Sequence, residues 1–178
     1  MRLHPAPCDA TKAAPVTPEL LIPLPHRRAT RRLASALGGA LLPGDLLVLE
    51  GDLGAGKTFL VRGIARALGV PSKKPITSPT FGLVHEHLAR IPIVHADLYR
   101  LGDAAEIVEL GLVDQIGGEA VVLIEWGERF AEELGGQGLW IWLSLTGEGR
   151  VARLEARGRR GEALLERLGA HPEFERLR

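Results

Sequence analysis

Cysteine is almost missing. Cys8 stands alone in 178 residues, which excludes an internal disulfide framework and a cysteine-built zinc cluster and suits a reducing compartment. Net charge is missing as well. Lys and Arg total 22 and Asp and Glu total 22, so the chain lacks the strong positive field of an autonomous nucleic-acid binder, and any RNA contact must be local or shared. No apolar run approaches the roughly 18 residues of a membrane span, and Met1-Arg2-Leu3-His4-Pro5-Ala6-Pro7 has no signal-peptide hydrophobic region. A cytosolic protein is the expectation. There is no internal repeat and no sign of a second domain. At 46% hydrophobic and 25% charged, the composition is that of an ordinary globular chain with one sizeable core.

Residues 1–20, with Pro5, Pro7, Pro15 and Pro18 and no period of 2 or 3.6, read as a mobile tail ahead of a single domain over 21–178. Ala29, Leu33, Ala34 and Leu37 recur at helical spacing, which predicts a helix over His26–Leu37 stopped by Gly38-Gly39. After the turn Pro43-Gly44-Asp45, the run Leu46-Leu47-Val48-Leu49 reads as a buried strand. Leu60, Ile64, Ala67 and Leu68 then predict a helix ending at Gly69. Pro71 to Pro79 reads as a loop, and Phe81–His87 with Ile91–His95 as a hairpin. Asp103 and Glu106 have capping-box spacing for a helix ending near Gly111. Val121-Val122-Leu123-Ile124 is a second buried strand, Leu139–Leu145 pairs with the segment from Val151, and Glu162–Leu168 is a short closing helix.

Between the first strand and its helix lies Gly51-Asp52-Leu53-Gly54-Ala55-Gly56-Lys57-Thr58, which fits G-x-x-x-x-G-K-[ST]. Glycines let the backbone wrap phosphates with its N–H groups, and the following helix presents its positive end. In that arrangement Lys57 reaches the β- and γ-phosphates and the Thr58 hydroxyl is a ligand for Mg²⁺. Strand before and helix after is the context the motif requires. The loop therefore points to a bound nucleoside triphosphate.

Ligands of open α/β sheets lie beyond the carboxyl ends of the strands, so acids just after buried strands are candidates to hold the metal or orient water. Asp97 and Glu125 qualify, and spacing does not divide the two roles between them. Thr77-Ser78-Pro79-Thr80 is placed to sense the γ-phosphate, although an ordinary turn explains it equally well. His85, His87 and His95 form no H-E-x-x-H pattern and have no cysteine beside them, which argues against zinc. Trp140 and Trp142 share a strand face. A covering helix is the simpler expectation, a partner surface the other. The arginines at 27, 28, 31 and 32, and those from Arg150 to Arg160, are read mostly as solvated faces because Glu148, Glu155 and Glu162 are interspersed in the second group.

Taken together, Leu49 to Thr58, Thr77-Ser78-Pro79-Thr80-Phe81, Asp97-Leu98-Tyr99-Arg100 and Ile124-Glu125-Trp126 make the chain resemble the TsaE (YjeE) family. The likeness runs from about Leu21 to Leu168 and includes Ile22-Pro23-Leu24-Pro25 and Ala29-Thr30. It implies a P-loop, three-layer α/β fold with a mixed, mainly parallel central sheet flanked by helices. It also implies a Mg²⁺-dependent ATPase needed for threonylcarbamoylation of adenosine in tRNAs that read codons beginning with adenine. Such a protein works with a threonylcarbamoyl-transferring (TsaD-like) subunit and that subunit's TsaB-like paralogue, does not itself transfer the group, and meets tRNA through the complex. By the same resemblance, Glu125 joins Thr58 on Mg²⁺, Asp97 supports metal or water, and Arg27, Thr30, Asp52, Leu53, Gly54, Ala55, Gly56, Lys57, Thr58, Glu128 and Arg150 contact nucleotide. Phe59 departs from the Thr or Ser common after the motif. A small metabolite or nucleoside kinase is the alternative, although no arginine-rich lid precedes the Glu125 strand. A GTPase would show N-K-x-D, which is absent, and a nucleotide-binding scaffold would hold ATP without releasing phosphate.

Overall fold

The computed structural model describes residues 19–79 and 82–177. Seven strands form one sheet in the order β1-β7-β6-β2-β5-β4-β3. These are β1 (Glu19–Leu24), β2 (Leu46–Glu50), β3 (Val84–His87), β4 (Ile93–Asp97), β5 (Val121–Glu125), β6 (Gly138–Thr146) and β7 (Gly149–Arg157). The central four, β6, β2, β5 and β4, run parallel, while β3 at one edge and the pair β7 and β1 at the other are antiparallel. The sheet is therefore mixed with a parallel centre, as the resemblance implied. All five residues of β2, β4 and β5 are buried, which is why β2 and β5 read as continuous apolar runs rather than alternations, whereas β4 carries His95 and Asp97 within it.

Two hydrophobic clusters sandwich the sheet. The larger packs helices α1 (Arg27–Ala40), α2 (Lys57–Ala67), α5 (Gly158–Gly169) and α6 (Pro172–Glu175) against one face. The smaller packs α3 (Ala105–Glu109), α4 (Leu112–Gln115) and the turn Glu128–Phe130 against the other. Three layers result. No helix among the described residues is long and apolar enough to cross a membrane.

Most elements stand where the pattern places them, and the exceptions have physical causes. Glu19 and Leu20, assigned to the tail, already belong to β1, where backbone pairing with Glu155 and Leu154 orders them; residues 1–18 of that tail lie outside the described residues. Gly38 and Gly39 do not stop α1, which continues to Ala40. A Cβ on Gly38 would stand 2.5 Å from the Ala67 Cβ, and one on Gly63 of α2 would stand 2.5 Å from the Ala34 Cβ. Here glycine serves close approach of two helices rather than termination. The helix at the end of the domain is longer than Glu162–Leu168, beginning at Gly158, and α6 follows it without a periodic signal of its own. The capping pair is present: Glu106 Oε1 accepts from the Asp103 amide at 3.0 Å, and Asp103 Oδ1 accepts from the Ala105 amide at 3.1 Å.

Candidate functional site

β2 lies between β5 and β6, so the loop leaving its carboxyl end emerges at the middle of the sheet. Gly51 has φ +127°, and a Cβ there would lie 2.1 Å from the Leu143 carbonyl oxygen of β6. Only glycine lets the chain turn upward at that point. Gly56 caps α2 in the left-handed region and contributes no side-chain bond, which leaves the first-turn amides of α2 facing an anion-ready concavity.

Lys57 is 5% exposed. Its Nζ donates to the carbonyls of Gly51 and Asp52 at 2.5 and 3.1 Å and lies 3.5 Å from the centroid of the Trp126 ring. Burial pushes this ammonium below its usual range, against the opposing pull of Glu125, Glu50, Asp97 and Asp52. A buried cation held by carbonyls and an aromatic face is ready for an anionic ligand.

The parallel register sets the acids in place. Glu125 stands level with Leu49 on one side and Asp97 on the other. Thr58 Oγ1, in the first turn of α2, donates to Glu125 Oε2 at 2.9 Å, and His95 Nε2 lies 2.9 Å from Glu125 Oε1. Asp97 accepts the Tyr99 amide at 3.0 Å through Oδ1 and the Ser78 hydroxyl through Oδ2. The loop after α2 is thereby fastened to the acid at the end of β4. Tyr99 and Trp126 face each other with ring centroids 5.0 Å apart. Trp126 takes φ +62°, an uncommon backbone state for a bulky residue. These groups enclose a cleft of about 340 Å³ over Leu53, Gly54, Gly56, Lys57 and Thr58.

A second recess of about 190 Å³, lined by Arg27, Thr30 and Arg150, shares Gly54, Gly56 and Phe59 with the cleft. Arg150 Nε donates to the Ala55 carbonyl at 2.6 Å. Residues from α1, the loop and the β6–β7 hairpin thus converge around one glycine-rich turn. Glu128 sits elsewhere. Its carboxylate is gripped by both terminal nitrogens of Arg157 at 3.0 Å, and it lines neither recess. Asp52 contributes its carbonyl to Lys57, Leu53 stands 83% exposed at the mouth, and Ala55 is fully buried below the turn. Within the suspected switch Thr77–Thr80, Ser78 reaches the site; Thr80 lies outside the described residues.

Three features escape motif reading. His95 contacts Glu125, a pairing legible only once strand alternation puts His95 and Asp97 on one face of β4. Tyr99 and Trp126 wall the cleft. Glu50, whose carboxyl is raised chiefly by burial, accepts the Glu128 amide at 2.7 Å and so holds the turn after β5. The tryptophans are not covered by a long helix. Trp140 is fully buried among Phe130, Leu134 and their neighbours, with the Arg157 guanidinium 4.4 Å from its ring centroid, and Arg153 lies 3.7 Å from that of Trp142. Those arginines are therefore tied to rings and to Glu155 rather than free in solvent. Among the described residues no group of three or more His, Cys, Asp and Glu is arranged to hold a metal by itself.

Residues 24–153 match the family model described as threonylcarbamoyl adenosine biosynthesis protein TsaE. The chain is 38% identical over 144 residues to the tRNA threonylcarbamoyladenosine biosynthesis protein TsaE of Bacillus subtilis, covering 80% of this chain and 89% of that one. It is 46% identical over 120 residues to the protein of the same name from Mycobacterium bovis, covering 62% and 70%. The crystal structure of Bacillus subtilis YdiB superposes with a TM-score of 0.75 at 30% identity, covering 88% of this chain and 97% of that one.

Proposed function

The chain belongs to the TsaE family of threonylcarbamoyl adenosine biosynthesis proteins, and from that membership we propose that it is a cytoplasmic Mg²⁺-dependent ATPase serving threonylcarbamoyladenosine formation in tRNA. It takes part in tRNA threonylcarbamoyladenosine biosynthesis. Its hydrolysis acts on a TsaD-like transferring subunit and a TsaB-like paralogue, with tRNA engaged through that complex.

The observation carrying this reading is the bond from Thr58 to Glu125 beside Lys57. It joins the start of α2 to the end of β5, in the place where a phosphate-bound cation needs ligands. The donor set is a hydroxyl and a carboxylate, all oxygen, which fits Mg²⁺ better than a softer ion. Mg²⁺ held there by Thr58 and Glu125 would neutralise charge on the β- and γ-phosphates. Lys57 exchanges its carbonyl partners for phosphate oxygens, a trade its buried state favours. The loop amides hold the phosphates in line. Asp97, oriented by the Tyr99 amide and the Ser78 hydroxyl, is placed to direct an attacking water. Arg27, Thr30 and Arg150 hold the nucleotide from the side of α1 and β7.

In cells depleted of this protein, mass spectrometry of tRNA nucleosides should show loss of threonylcarbamoyladenosine. The parent gene should restore it, and Lys57→Ala and Glu125→Ala should not. Normal modification in depleted cells sinks the reading. With labelled ATP and the partner proteins, the γ-phosphate should appear as inorganic phosphate; transfer to a small metabolite would favour the kinase alternative.

A further inference from the structure

The geometry points to His95 as a positioning residue for this site: its buried Nε2–H holds the Glu125 carboxylate so that the second oxygen faces Thr58. The inference rests on the ATPase reading above and adds a residue to it.

His95 is fully buried and Glu125 is 2% exposed. They lie on adjacent parallel strands with His95 level with Leu123, two residues before Glu125. Strand alternation puts His95, Asp97, Leu123 and Glu125 on one face of the sheet. That face carries α2, since Ile93 and Leu123 belong to the same core cluster as Leu60 and Ile64. The imidazole therefore sits behind the carboxylate, on the side away from the cleft, and lines neither recess of the nucleotide site.

A carboxylate at a strand end can rotate about its terminal torsion unless both oxygens are held. Here one oxygen is held by a ring that cannot move, because the core encloses it, and the other is left for Thr58. His95 Nδ1 has no hydrogen-bond partner, which makes Nε2 the nitrogen that carries the proton. The neighbouring ring of His87, 6.3 Å from His95 between centroids, is also buried without partners, so it packs as an apolar group behind the first. Support of a ligating carboxylate from behind commonly governs metal affinity by about 10- to 100-fold.

The test is calorimetric titration of the purified full chain with a non-hydrolysable ATP analogue over a series of Mg²⁺ concentrations. In His95→Leu, analogue binding without Mg²⁺ should match the parent, because Lys57 and the loop are untouched. The Mg²⁺ needed for half-maximal enhancement should rise by about tenfold or more. His95→Gln, whose amide nitrogen reaches about as far as Nε2, should restore it to within about threefold. His95→Asn, whose amide stops short, should not. If His95→Leu does not fold, the comparison of Gln with Asn decides. Parental Mg²⁺ dependence in His95→Leu or His95→Asn overturns the proposal, as does a Gln variant as impaired as Asn. A parent that binds no analogue with Mg²⁺ overturns the ATPase reading and this inference with it.

Discussion

Arg150 and Ala55 stand 95 positions apart and are joined by a 2.6 Å hydrogen bond from the arginine Nε to the alanine carbonyl. Through it the β6–β7 hairpin props the glycine-rich loop from outside, while the rest of the guanidinium lines the recess with Arg27 and Thr30. Arg150→Ala should weaken ATP binding about tenfold, the usual effect of losing one charge-assisted bond, with little change in melting temperature. Isothermal titration and a melting curve read both. Unaltered affinity would remove Arg150 from the site.

Lys57→Ala deletes the cation buried beneath Trp126. Nucleotide affinity should fall about 10- to 100-fold, since a phosphate loses its charged donor. Burial also holds the ammonium low, so its folded pKa lies below its unfolded one. Between those two values the unfolded chain binds more protons, and stability rises with pH through that window. An alkaline stability gain that disappears in the alanine variant is the expected signature in denaturant titrations.

Acid should act on stability through His87. Its folded pKa is lowered first by burial and then by His95, Lys74, His85 and Arg66. Below the ordinary value of 6.5 the unfolded chain takes up a proton that the folded one refuses, so stability is lost as pH falls through that range. His87→Leu should flatten this limb. Guanidinium denaturation at pH 7.5 and at pH about 5.5 gives the comparison, and an equal acid loss in both proteins would exclude the histidine as its source.

Gly38→Ala tests the close approach of α1 and α2. Alanine gains about 1 kcal/mol in helix propensity, but a Cβ 2.5 Å from that of Ala67 forces the helices apart at a cost of about 1–3 kcal/mol. The net outcome should be a loss of up to about 2 kcal/mol, seen as a lower denaturation midpoint with unchanged slope. A more stable variant would show that α1 and α2 separate freely.

The strongest sequence signals were those fixed by short-range chemistry. Continuous apolar runs marked β2 and β5 because both faces of each are covered, and Asp97 and Glu125, picked out as acids after buried runs, stand level at the ends of β4 and β5. The glycine-rich loop was legible because its backbone must adopt states few residues permit. What stayed hidden depends on partners distant in sequence. Gly38-Gly39 looked like a helix stop, and only the position of Ala67 and His171 makes them packing residues. β1 has no pattern strong enough to announce it, and is ordered by β7. Glu128 was implied as a nucleotide contact by resemblance alone, and its bond to Arg157 at the end of β7 could not be read from spacing. His95 fitted no metal pattern and had no assigned role until the register of β4 on β5 set it against Glu125.

Both strands that flank β2 come later in the chain, β5 ending at Glu125 and β6 at Thr146, and the prop on the loop comes from Arg150. During synthesis the glycine-rich turn is thus made some ninety residues before the last group that secures it. Pairings of such long separation form late in folding. On the proposed reading, a growing chain would carry the glycine-rich loop without the walls that shape its cleft, so ATP would meet a competent pocket only on a nearly finished molecule. Nucleotide binding would then report completed folding, and ATP would act as a ligand that favours the finished domain over its unfinished precursors.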